Sequence, residues 1–119
     1  MRYVIFFLLL TIIPCYAKHC QPEKYYQHLW CTEQNGIEEY KLCDKTRVDC
    51  LTEEYAIEFD WAKKWAECVG QCLYYAKLTG KKPAAAIIID SKNDKKYIER
   101  IKTIDKEIKI FEIKSLNYK

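Results

Sequence analysis

The sequence has few histidines, glycines and prolines: two, three and three among 119 residues. Neither His19 nor His28 adjoins a strong nucleophile candidate, so the chain has no Ser/His/Asp or Cys/His arrangement for nucleophilic catalysis. It also lacks a CxxC pair, and both histidines lie far in sequence from Cys68 and Cys72, which argues against a zinc site. Because repeats, low-complexity tracts and Pro/Gly/Ser-rich linkers are missing as well, we expect one folded unit.

Residues 1–17 have the pattern of a secretory signal peptide. Arg2 supplies a positive charge, Tyr3 to Ile13 is nearly all apolar, and small residues surround a cleavage point. The apolar run is too short for a comfortable transmembrane helix. We therefore expect residues 18–119 to be secreted or periplasmic, without a stable membrane span. Retention as a membrane anchor and acylation of Cys15 are the alternatives.

The mature chain, 119 − 17 = 102 residues, suits a single domain with a modest core. An even number of cysteines in an exported chain favours disulfides, but six cysteines allow fifteen pairings that the sequence does not resolve. Cys68 and Cys72, four apart on a predicted helix, are poorly placed to bond to each other. Alternatively, several of the cysteines are simply small buried residues. The six are Cys20, Cys31, Cys43, Cys50, Cys68 and Cys72.

Turn signals and hydrophobic periodicity predict the order α-β-β-β-α-β-α-β, an α/β fold with helices packed on a mixed sheet. Asn35-Gly36 ends the first helix and Gly80 ends the second. The apolar run at 84–90 has the length of a central strand buried on both faces. The predicted elements are helix 21–35, strands 37–44, 47–52 and 55–60, helix 61–80, strand 84–90, helix 93–107 and strand 109–116.

The second and third predicted strands form a hairpin that carries several acids. If it is centred on its turn, Asp49 faces Glu58 and Arg47 faces Asp60, and these four side chains project from one sheet face. The other face then carries Val48, Cys50, Ile57 and Phe59. Facing carboxylates repel each other, and a divalent cation bound through oxygen relieves that repulsion. Alternatively, Arg47 neutralises Asp60 as an ordinary surface ion pair.

The helix that follows has an apolar back and a polar front, which begins beside the acids. A lysine on this front could orient water or stabilise developing charge at a metal-bound phosphate; alternatively, the lysines are merely solvated. The two tyrosines could stack on bases or bridge the core and the solvent. The front carries Lys63, Lys64, Glu67, Gln71, Tyr74 and Tyr75.

The stretch RVDCLTEEYAIEFDWAKKWAECVGQCLYYA resembles the core of the PD-(D/E)XK, or restriction-endonuclease-like, nuclease superfamily. It is similar to small uncharacterised proteins with the pattern RVD-x-LT…AIE-x-D-x-A-x-KW-x-E-x-x-GQ-x-LYY. The resemblance implies that Asp49 and Glu58 bind Mg²⁺ or Mn²⁺. The superfamily's lysine stands two residues after the second acid, where this chain has Asp60, which could serve as a third ligand.

The resemblance also implies roles for residues on the helices. Lysines in this superfamily can migrate to the neighbouring helix, so Lys63 or Lys64 would replace the missing one. Gln71 would position the attacking water or contact a nucleic-acid backbone. Glu23, on the first helix, is a further acid of the kind that contributes in some members; alternatively, it is an exposed acid at a helix start.

The two halves of the mature chain differ in charge. Residues 18–76 hold seven basic and eleven acidic side chains, and residues 77–119 hold twelve and six. A basic half beside an acidic cleft fits a polyanion partner, although a lysine-rich soluble tail has the same composition. We therefore expect an exported Mg²⁺-dependent nuclease, with DNA ahead of RNA as partner. The alternative is a catalytically inactive binding module stapled by disulfides, and the oligomeric state stays open.

Overall fold

The computed structural model describes residues 20–119, so the predicted signal peptide lies outside the described residues. The elements follow the predicted order. The helices are α1 (Glu23–Glu33), α2 (Trp65–Thr79) and α3 (Lys95–Ile104), and the strands are β1 (Ile37–Lys41), β2 (Arg47–Leu51), β3 (Tyr55–Trp61), β4 (Lys82–Ile89) and β5 (Lys109–Lys114). Short 3-10 turns at Ala62–Lys64 and Lys92–Asp94 lead into α2 and α3.

The five strands form one mixed sheet in the order β1-β2-β3-β4-β5. The first three are antiparallel neighbours, whereas β3, β4 and β5 are parallel. Parallel strands need a crossover connection, and α2 and α3 provide the two that this sheet requires. The predicted α/β class and mixed sheet are therefore confirmed.

The sheet has a helical layer on each face. Even-numbered residues of β4, such as Ala84 and Ala86, lie in a cluster that includes Cys31 of α1. Odd-numbered residues such as Ala85 and Ile87 lie in the cluster formed with α2 and α3. Side chains alternate between the faces of a strand, so a strand covered on both faces must be apolar throughout. This explains the uninterrupted apolar run predicted to be a central strand.

A disulfide between Cys31 and Cys50 joins α1 to β2. Cys20 and Cys43 are exposed free thiols, and Cys68 and Cys72 are free and buried on α2. The prediction of a disulfide-stapled fold thus holds for one pair, while Cys68 and Cys72 are the small buried residues of the alternative interpretation. A disulfide fits an oxidising compartment.

Within residues 20–119, no helix combines the length and the apolar character needed to cross a bilayer.

We predict that Gly36 is required where the disulfide passes the end of α1. A Cβ atom at this position would lie 2.5 Å from Cys50 Sγ and 2.6 Å from Cys31 Sγ. Gly36→Ala should therefore lower the free energy of unfolding, measured by urea denaturation, by about 1–3 kcal/mol, as overpacking of a core does.

Gly70 provides the matched control. An added Cβ there meets nothing within 4 Å, so Gly70→Ala should raise the stability of α2 by up to about 1 kcal/mol. Equal effects of the two substitutions would contradict the close contact at the disulfide.

Candidate active site

The hairpin of β2 and β3 has the predicted register. Cys50 pairs with Ile57 and Leu51 pairs with Ala56, which places Asp49 opposite Glu58. Along β3, Glu58 and Asp60 are aligned with Ala85 and Ile87 of β4, residues that face α2 and α3. The acids therefore lie between the sheet and the beginning of α2.

At the acids, the ladder between β2 and β3 ends. In an antiparallel pair every second pair of residues is hydrogen-bonded, so Val48 and Phe59 should follow Cys50 and Ile57. Instead, the Phe59 N–H donates to Asp49 Oδ2 at 2.9 Å. The Asp49 N–H donates to Glu58 Oε1 at 3.0 Å. The Phe59 N–H is thus satisfied where the ladder of β2 and β3 ends, and the Asp49 N–H where the pairing of β1 and β2 is interrupted.

The regular pairing of β2 is interrupted where Asp49 and Glu58 bond to backbone N–H groups. One predicted side-chain orientation is wrong for this reason. Val48 does not share a face with Cys50; it packs against Ala56 and Tyr75, on the side of α2. The pairing of β1 with β2 is interrupted at the same place. Glu38 pairs with Cys50 and Tyr40 with Val48, but Glu39 and Asp49 between them are not paired. Glu39 has a φ of 50°, which marks the matching twist in β1.

Four carboxyl groups form two hydrogen-bonded pairs at this site. Glu58 donates to Asp49, and Glu23 of α1 donates to Asp60. Glu58 and Asp60 are 3% and 5% exposed. Burial disfavours the charged form of an acid, and a neighbouring negative charge does the same. The site therefore keeps protons that ordinary surface acids would have released.

The pKa values of all four acids are raised. Burial, followed by the charge of Asp49, raises the pKa of Glu58 to about 9. Burial and the charge of Asp60 raise that of Glu23 to about 8. Burial raises the pKa of Asp60 to about 6, and it also raises the pKa of Asp49, although the Phe59 N–H opposes that rise. Acids with perturbed pKa values are enriched at functional sites.

The α1 helix supplies a residue that the sequence analysis missed. The Gln27 side chain is 2% exposed, and its amide donates to the Asp49 carbonyl at 2.9 Å and to Glu39 Oε1 at 3.0 Å. Gln27 follows Glu23 by four residues, the spacing that places two side chains on one side of a helix. That spacing is the signal that could have identified it.

The two candidate lysines differ in their effect on the acids. The positive charge of Lys64 lowers the pKa values of Glu23 and Asp60, so its ammonium group lies near the cluster. Both lysines line a cavity of about 340 Å³ that also includes Asp90, so the difference between them is the charge that Lys64 places beside Glu23 and Asp60. Arg47 is an exposed partner of Lys41 in β1, and the cation acting on Asp60 is Lys64 instead.

The predicted polar front of α2 is partly covered. Tyr75 is 7% exposed and packs in the core, so its predicted place on an exposed front is wrong. Tyr74 is exposed and donates a hydrogen bond to the Asp44 carboxylate. Gln71 is half-buried. It lies three residues after Cys68, whose thiol donates to the Glu58 carbonyl at 3.4 Å, so it is on the side of α2 near the acids.

The acids at this site are possible ligands of a metal ion. Among residues 20–119, no group of three or more His, Cys, Asp or Glu side chains is arranged to hold one. The Asp60 carboxyl group is hydrogen-bonded to Glu23 and not to Asp49 or Glu58. Mg²⁺, however, is usually held by one or two carboxylates and keeps several waters. Two facing carboxyl groups with raised pKa values fit that requirement.

Comparisons with known proteins add no family assignment. No protein-family model, curated protein or solved structure matches this chain.

We predict that the stability of the metal-free protein falls as the pH rises. The pKa of Glu58 goes from an ordinary 4.5 to about 9 on folding. Between these values the folded state binds more protons than the unfolded state, so the free energy of unfolding decreases with pH. Urea denaturation in EDTA across this range should show the decrease.

Glu58→Gln should make that pH dependence shallower, because the amide cannot titrate. Glu33→Gln, at the exposed end of α1, should leave it unchanged. A pH dependence that is the same in all three proteins would contradict the protonated state of Glu58.

Proposed function

We propose that this chain is an exported metal-dependent nuclease of the PD-(D/E)XK type. It would hydrolyse phosphodiester bonds, with water adding to phosphorus and a sugar hydroxyl leaving. The observation that carries the proposal is the meeting of Asp49 and Glu58, with Glu23 and Asp60 beside them, in a buried cluster with raised pKa values. The α-β-β-β-α-β order supports it.

Asp49 and Glu58 would hold a Mg²⁺ or Mn²⁺ ion. When bound, such an ion polarises a phosphoryl group, lowers the pKa of a bound water and stabilises a leaving oxygen. Ligating carboxylates must be ionised, so binding would release the proton that Glu58 donates to Asp49. Affinity should therefore rise with pH, opposite to the trend in the stability of the metal-free protein.

The surrounding residues orient the acids. Gln27 holds the Asp49 carbonyl, and the Cys31–Cys50 disulfide fixes the next residue of β2 to α1. These contacts reduce the freedom of Asp49 before substrate binds, which is how preorganised sites gain rate.

Lys64 and Gln71 would act on the substrate side of the acids. Lys64 lies near Glu23 and Asp60, and an ammonium group there can stabilise negative charge on a phosphate oxygen. The Gln71 amide would orient the attacking water. DNA is the substrate we favour, with RNA as the variant of the same chemistry.

A specific observation favours an inactive binding module as the second candidate. Asp49 and Glu58 already accept from the backbone N–H groups of Phe59 and Asp49, a structural role that accounts for their burial without any metal. Asp60 also stands where the superfamily has its lysine. The disulfide-linked fold would then bind a partner without turnover.

We predict that Asp49→Asn and Glu58→Gln each abolish magnesium-dependent cleavage of plasmid DNA by residues 18–119 produced in an oxidising host. Each change keeps the side-chain shape and removes one anionic ligand. Cleavage by Glu33→Gln, whose carboxylate lies away from the cluster at the end of α1, should equal that of the wild type. Wild-type cleavage that survives EDTA would exclude the metal mechanism, and intact folds without any cleavage would favour the inactive module.

The two neighbouring lysines should separate in the same assay. Lys64→Met is expected to reduce the cleavage rate by about 100-fold or more, because it removes a cation from the reacting phosphate. Lys63→Met, which deletes the same charge one residue earlier, should change the rate by less than a few fold. Equal losses would contradict the position assigned to Lys64.

A further inference from the structure

A depression with several lysines lies at the end of the sheet where β3, β4 and β5 begin. It has a volume of about 700 Å³. We call it the lysine depression; its lining residues include Tyr55, Lys82, Lys102, Lys106, Glu107 and Lys109. It lies where β3, β4 and β5 begin, whereas Glu58 and Asp60 lie in the second half of β3. Along β3, Glu58 follows Tyr55 by three residues and Asp60 by five, or about 10 Å and 16 Å at the usual rise.

The four lysines come from separate elements. Lys82 begins β4, Lys102 is in the last turn of α3, Lys106 follows that helix, and Lys109 begins β5. Their convergence is therefore a result of the fold and not of one charged helix face. Glu107 is the acid in this lining, so positive charge predominates. Like charges brought together repel, and an anion would relieve the repulsion.

Existing ion pairs neutralise the depression only in part. Lys82 contacts Glu54 at 3.1 Å and Lys102 contacts Glu99 at 2.9 Å, both at exposed positions. Such pairs contribute little and can exchange for another anion. The ion pairs found within residues 20–119 do not include Lys106 or Lys109.

Aromatic side chains lie beside the lysines. Tyr55 forms part of the wall, and its ring contacts Phe111 with the centroids 5.8 Å apart. A second depression of about 670 Å³, also lined by Tyr55 and Lys109, continues towards Trp30. Glu53 and Glu54 lie in its wall, so the positive charge is concentrated in the lysine depression. Trp30 contacts Phe111 at 4.7 Å between centroids. Lysines that track a backbone beside aromatic rings that stack on bases are the usual means of binding single-stranded nucleic acid.

We propose that the lysine depression binds the sugar-phosphate backbone of single-stranded nucleic acid, as a second contact remote from the acids. The choice of nucleic acid as the ligand rests on the proposed function, whereas binding at the depression requires neither metal nor turnover. A strand held there would keep the nuclease on its substrate between cleavage events.

The test measures binding of a fluorescein-labelled oligothymidylate by anisotropy, in EDTA, over a series of NaCl concentrations. The test variant combines Lys102→Gln, Lys106→Gln and Lys109→Gln. The control variant combines Lys41→Gln, Lys77→Gln and Lys92→Gln, three exposed lysines elsewhere that change the net charge equally. Thermal melting of each protein verifies folding.

The test variant should bind more weakly than the control variant at each salt concentration. Its plot of log affinity against log salt should be shallower by about 2, since each lost phosphate contact on a single strand removes about 0.7 from the slope. The control variant should keep the wild-type slope. Equal losses in both variants, or an unchanged slope in the test variant, would overturn the proposal, as would binding of heparin without binding of oligothymidylate.

Cleavage assays distinguish this proposal from the proposed function. Slope changes as expected, without cleavage by any protein, would support the lysine depression and reject the nuclease. Magnesium-dependent cleavage with unchanged slopes would support the nuclease and reject the depression.

Discussion

The exchange of hydrogen bonds between Asp49 and Glu58 determines the rest of the site. Each strand turns an acid towards the other strand's backbone, at the point where the ladder of β2 and β3 ends. The exchange satisfies two backbone N–H groups and holds two carboxyl groups together in a buried place. Burial then favours the protonated forms, so Glu58 and Glu23 each retain a proton that they share with Asp49 and Asp60. A divalent cation and a proton are alternative means of balancing the same charge.

Helix α1 contacts the hairpin at three successive points beside the acids. Its Glu23 donates to Asp60, its Gln27 holds the Asp49 carbonyl, and its Cys31 is bonded to Cys50. Three consecutive turns of one helix therefore each contact the hairpin near an acid. The disulfide therefore holds α1 against β2 next to Asp49, so it constrains the geometry of the cluster as well as stabilising the fold.

Periodicity predicts the element order and the Asp49–Glu58 register well, because both depend on alternation and turn signals. It does not predict the orientation of Val48, since the twist at Asp49 comes from side chains bonding to backbone. It also places Tyr75 wrongly, because Tyr75 packs against Val48 and Ala56 of the hairpin. The sequence does not distinguish Lys63 from Lys64, because both lie in a 3-10 turn at Ala62–Lys64. Side-chain directions taken from an ideal α-helix do not apply there. The disulfide partners depend on tertiary contact alone.

The central claim is that the facing carboxyl groups hold a divalent cation, and Mn²⁺ titration followed by NMR tests it most directly. Paramagnetic broadening should begin at the backbone amides of Asp49 and Phe59, spare those of β5, and disappear when Glu58 is replaced by glutamine. Broadening that begins elsewhere, or that is the same in both proteins, would show that the cluster binds no cation and that its protons are purely structural.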